Sequence, residues 1–194
     1  MNLAQRLAPL RSHGGTHRTT GLADDVVERF APTQPALVEA IDAAVEAYAV
    51  VRAEFPELLE LDESEQLRRV QSGFLNFYAD DAVNPYVALA ARGPWIVTLK
   101  GSVVYDCGGY GMLAFGHAPP EVLSALARPQ VMANIMTPSV THLRLERALR
   151  NEIGRTRGGC PYAKFLALNS GSESVSLAGR IADVNAKIQT DAGG

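Results

Sequence analysis

The stretch Lys164-Phe165-Leu166-Ala167-Leu168-Asn169, followed at once by Ser170-Gly171-Ser172-Glu173, restricts the fold more than any other part of the chain. A short apolar run reads as a buried strand, and a Ser-Gly-Ser turn ends it. Val175, Ala178, Ile181 and Ala182 then recur at helical spacing, which predicts a helix from Ser172 to about Lys187. A strand that enters a helix through a tight turn belongs to a layered α/β architecture with a parallel sheet. One such strand with a single helix leaves apolar faces uncovered, which predicts association or low stability.

The same turn has a chemical consequence. The first N–H groups of a helix have no intrahelical partner and sit at the positive end of the helix dipole, so they converge on an anion such as a phosphate. Gly171 permits close approach, and the Ser170 and Ser172 hydroxyls add donors. A plain capping serine at Ser172 accounts for the local pattern equally well, so the residues by themselves leave both readings open. Other nucleotide motifs do not fit. There is no G-x-x-x-x-G-K-[ST] loop, and the glycines from Gly108 to Gly111 precede Met112, Leu113 and Phe115 rather than a helix start.

Upstream, Leu37, Ile41, Val45, Tyr48 and Val51 recur at helical spacing between Thr33 and Phe55, with Thr33 and Pro35 as the start. A second helix is expected after Asp62 or Ser64. Its Leu67, Val70, Phe74 and Phe77 form an apolar stripe for the core, and Asp62 with Glu65 resembles a capping box. Trp95 to Leu99 and Ser102 to Tyr105 predict a hairpin around Lys100-Gly101. Asp106-Cys107-Gly108-Gly109-Tyr110-Gly111, with Gly116 beyond, predicts a loop needing positive φ or close approach. Pro119-Pro120 opens a short helix to Ala127, and a helix from Thr141 to Ile153 is expected to end on Gly154 as a left-handed cap. The expected organisation is a helical segment over 1–92, then the hairpin, Gly-rich loop and helices over 93–160, then the strand, turn and helix of an incomplete α/β domain over 161–194.

Charge narrows the partners. A formal net charge of −3 with both signs interspersed disfavours nucleic acid and points to a small molecule. No apolar run approaches the ~18 residues that would suggest a membrane span, since Glu39, Asp42 and Glu46 interrupt the longest candidate. Cys107 and Cys160 form neither a metal motif nor a disulfide framework, which fits a reducing, cytoplasmic compartment. The first 23 residues carry Arg6, Arg11 and Arg18 without an acid. That composition fits a frayed, Gly- and Thr-rich terminus better than an organellar transit peptide.

Three landmarks occur in a telling order over about Ile96 to Lys187: Tyr105-Asp106 leading into Gly108-Gly109-Tyr110-Gly111, then Phe115-Gly116-His117-Ala118-Pro119-Pro120, then Asn169-Ser170-Gly171-Ser172-Glu173-Ser174. This order resembles the class III aminotransferases, pyridoxal 5′-phosphate (PLP) enzymes of fold type I, where a GH-x-x-P segment precedes an NSGSEA turn. The resemblance implies that Ser170, Gly171 and Ser172 bind the PLP phosphate. It makes Tyr110 and the Met132 to Thr137 loop candidate substrate contacts, and gives His117 a positional role ahead of a proline-started helix. It implies a homodimer with shared sites, and an amino group passed between an amine or amino acid and a 2-oxo acid. Aminomutases and decarboxylases use the same scaffold.

Ser174 departs from the family's usual alanine, and Ser176 from an acidic or larger residue. The family also places its ring-stacking aromatic, its pyridine-pairing aspartate and its Schiff-base lysine well downstream of the turn, whereas this sequence runs only 22 residues past Ser172. The three lysines are Lys100 in the hairpin, Lys164 before the turn and Lys187 at the far end of a helix. At 1.5 Å per residue Lys187 lies roughly 22 Å from Ser172. No catalytic residue is therefore assigned. The expectation is the N-terminal part of such an enzyme, inactive until associated with the missing C-terminal part, with a non-catalytic phosphate-binding or regulatory fragment as the alternative.

Overall fold

A computed structural model describes residues 2–75, 79, 83–107, 115–131 and 136–193. The chain divides into two compact units, Met1–Arg128 and Pro129–Gly194. The structure is mixed α/β, with eight α-helices and one small antiparallel sheet among the described residues.

The first unit is built around helix α3, Pro35–Glu54. Leu37, Ala40, Ile41, Ala44 and Tyr48 are its buried positions, a 3.6-residue stripe whose two alanines let neighbouring backbones approach. Against it lie α1 (Leu3–Arg11) and the sheet of β1 (Ala88–Arg92), β2 (Trp95–Thr98) and β3 (Val103–Tyr105). Leu3, Leu7 and Leu10 of α1, Val27 of α2 (Asp24–Phe30), and Trp95, Val97, Leu99 and Val103 close the core. Val45 and Val51 are half-buried at its margin.

The expected hairpin is present. Trp95 pairs with Tyr105, Ile96 with Val104 and Val97 with Val103, and Gly101 takes a φ of +74° in the connection. Strand β1, which has no clear alternation in the sequence, adds antiparallel to β2 with an irregular register between Ala88 and Ala90.

Several local expectations are corrected. The N-terminal residues are not frayed: Asn2 and Gln5 form a capping box that starts α1, and Leu7 is fully buried. The helix α5 (Glu63–Gln71) follows the short α4 (Pro56–Leu59), and it buries Glu63 and Gln66 rather than the apolar stripe. Leu67 is half-buried, Val70 and Phe74 are exposed, and Phe77 lies outside the described residues. The reason is hydrogen bonding to backbone from other segments. Glu63 Oε2 accepts the Arg18 and Thr19 amides at 2.7 Å each, and Gln66 Nε2 donates to Leu58 O at 2.9 Å. The Asp62 side chain makes no cap because it accepts the Thr16 amide instead.

In the second unit, α7 (Val140–Gly154) continues into Arg155 in right-handed geometry, so Gly154 is not a left-handed cap. A Cβ on Gly154 would meet Cys160 N and Gly159 C at 2.8 Å, so the glycine answers to the returning chain. The stretch 164–169 is neither buried nor paired as a strand: Phe165 is half-buried and the others are exposed. A strand requires a hydrogen-bonded neighbour, and none of the described residues supplies one to this stretch. The parallel sheet that the apolar run suggested is thus not formed here. The expected helix is present as α8, Gly171–Ala192, one turn longer than its apolar spacing indicated.

Candidate functional site

In the second unit, Arg150 holds the segment that precedes the turn at Ser170. From α7 its NH1 and NH2 donate to Tyr162 O and Ala163 O at 2.8 and 2.9 Å, its Nε donates to Glu146 at 2.9 Å, and its guanidinium lies 5.3 Å from the centre of the Phe165 ring. One side chain thereby ties the segment leading to the turn onto α7, a role that no sequence motif marks.

Ser170, and not Ser172, caps α8. Its φ of −145° and ψ of 156° are extended, and its Oγ accepts the Glu173 amide at 3.2 Å. Glu173 completes the box by accepting the Asn169 and Ser170 amides, each at 3.1 Å. The sequence reading included Glu173 in the motif without giving it a task, although Ser-x-x-Glu ahead of a helix is the capping-box signature. The cap uses the amides of residues 169, 170 and 173. The Gly171 and Ser172 amides, at the first two positions of the helix, lie at its positive end and have no acceptor among the described residues. Nothing lies within 4 Å of where a Gly171 Cβ would sit. The arrangement can bind a small anion through two convergent amides and the Ser172 hydroxyl. The Glu173 carboxylate occupies the two preceding amides.

In the first unit, the Tyr105-Asp106 and Gly116-His117 landmarks do come together. Gly93 and His117 exchange two backbone hydrogen bonds, of 3.0 and 2.7 Å, and His117 Nε2 lies 3.0 Å from Asp106 Oδ2. The carboxylate can only accept, so the facing ring nitrogen carries the proton. Gly116 has a φ of +75° and would clash with Gly93 if it carried a Cβ; Ala118 holds a φ of +49° without being glycine. His117 therefore acts as a clasp between the end of β3 and the entry to α6 (Pro120–Leu126), as expected of a positional residue. Tyr110 and residues 132–135 lie outside the described residues, and Met136 is exposed.

The three lysines are divided between the units, Lys100 in the first and Lys164 and Lys187 in the second. Lys100 is nearly buried, and its Nζ donates to Gly14 O and to Leu59 O, the latter at 3.0 Å. Burial pushes its ammonium below the usual lysine range, opposed by the nearby Glu60, Asp62 and Glu63 carboxylates. Lys164 and Lys187 are exposed, and Lys187 lies four turns along α8 from Ser172. Around Lys100 the carboxylates clamp the loop after α1. Glu60 accepts from Gly14 N at 3.0 Å and faces His13 Nδ1 at 2.9 Å, while the other ring nitrogen of His13 meets the Tyr48 hydroxyl. His17 Nε2 lies 2.5 Å from Ser102 Oγ, which donates to Thr19 O. This cluster is a structural latch, which the sequence did not announce because its members are scattered over ninety residues.

Cys107 and Cys160 are both free thiols. Among the described residues no group of histidines, cysteines and carboxylates is arranged to hold a metal ion, and no helix is long and apolar enough to cross a membrane. No protein-family model, no curated protein and no solved structure matches the chain.

Proposed function

We propose that this chain is part of a PLP-dependent enzyme of the class III aminotransferase kind, in which the Ser170-Gly171-Ser172 turn anchors the cofactor phosphate. The observation that carries the reading is the start of α8: two first-turn amides with no acceptor among the described residues, beside a cap that leaves them unused. The donor set suits a phosphate, which takes amide and hydroxyl hydrogen bonds at the positive end of a helix. Bound there, PLP would act as the electron sink for reactions at an amino-bearing carbon. This chain's own part would be to hold and orient. Gly171 N, Ser172 N and Ser172 Oγ donate, Ser170 Oγ fixes the helix start, and Arg150 fixes the segment before it. The reaction favoured is amino-group transfer between an amine or amino acid and a 2-oxo acid, completed by groups that Lys100, Lys164 and Lys187 do not replace.

The test combines labelling and spectroscopy on the full 194-residue chain. PLP is added, the mixture is reduced with borohydride, and intact mass with peptide mapping locates any pyridoxyl group. In parallel, amide shifts are followed during titration with pyridoxamine 5′-phosphate. The expected result is saturable shifts at Gly171 and Ser172 with no stoichiometric adduct at one lysine. A single full adduct would make the chain a self-sufficient PLP protein. Unmoved Gly171 and Ser172 amides at saturating ligand would remove the anchoring role.

The alternative is a non-catalytic phosphate-binding or regulatory module, in which the same donors at the start of α8 hold a phosphate and no reaction follows. A monodisperse protein that binds inorganic phosphate as tightly as pyridoxamine 5′-phosphate would support it.

A further inference from the structure

We draw no further inference here: the strongest candidate, the exposed apolar stripe of Ile181, Val184 and Ile188 on α8 together with the unpaired segment 164–168, carries nothing because no feature of the structure shows what covers it.

Discussion

Replacing Gly171 with proline removes one hydrogen-bond donor from the turn and leaves the rest of its geometry in place. Gly171 is the first residue of α8, where proline is well tolerated because its missing N–H has no intrahelical partner. A proline requires its predecessor to be extended, and Ser170 already is. No atom lies within 4 Å of the added Cβ. Helix content should therefore be kept, and reduced freedom of the unfolded chain should stabilise α8 by about 0.4–1 kcal/mol. A hydrogen bond to a charged acceptor contributes about 1.5–3 kcal/mol. At 1.4 kcal/mol per decade, Gly171→Pro should weaken pyridoxamine 5′-phosphate binding roughly 10- to 150-fold. Gly171→Ala retains the donor and should retain the affinity. The assay is titration of the ¹⁵N-labelled proteins, reading the Ser172 and Glu173 amides, with far-UV circular dichroism as the check on α8. Equal affinity in Gly171→Pro and the parent, at unchanged helicity, would refute the assignment of the Gly171 amide as a phosphate ligand. So would an equal loss in the proline and alanine variants, since only one of them lacks the donor.

Other expectations concern the first unit. Lys100→Met leaves Gly14 O and Leu59 O without their donor and the surrounding carboxylates without their cation, so thermal unfolding should register a loss of about 2–4 kcal/mol; an unchanged midpoint would show that Lys100 holds nothing. Ala118→Gly relieves a left-handed alanine and should raise stability by about 1 kcal/mol in urea unfolding, whereas a loss would mean that the Ala118 methyl packs usefully. Hydrogen bonds hold Glu60, through His13 and Gly14, and Asp62, through Thr16, below the usual carboxylate range. Their contribution is full above the ordinary carboxylate pKa and fades as pH falls through the depressed values. The protection of the amides of residues 14–19, relative to their intrinsic exchange rates, should accordingly fall below about pH 4, the ordinary carboxylate value; protection lost instead between pH 6 and 8 would place control elsewhere. Burial depresses the Lys100 pKa, so between that value and the ordinary one the unfolded chain binds more protons, and the stability of the parent relative to Lys100→Met should rise with pH on the alkaline side, a difference in which the opposing effect of the raised Tyr48 and Tyr86 pKa values cancels. A fall there, measured by denaturant titration, would contradict the burial of its ammonium.

Local pattern was sufficient wherever the determining interactions lie within a few residues. The helix over Pro35–Glu54 follows from apolar spacing, the hairpin from two β-rich runs around Lys100-Gly101, and α8 from its own apolar spacing, although its cap is Ser170 and not Ser172. The candidate anion turn was legible for the same reason, since its donors and its cap all lie between Asn169 and Ser174. The latch around Lys100 was not, because Gly14, Leu59 and Lys100 meet only after α1, the α4–α5 connection and the hairpin have come together. Helix α5 shows the same limit: its apolar stripe promised burial, yet the amides of Arg18 and Thr19 and the Leu58 carbonyl recruited Glu63 and Gln66 to the inner face. The run from Lys164 to Leu168 marks the opposite boundary. Its composition specifies a residue type fit for a strand, but strand formation depends on a hydrogen-bonding neighbour, and pairing is decided by tertiary structure and not by the run itself.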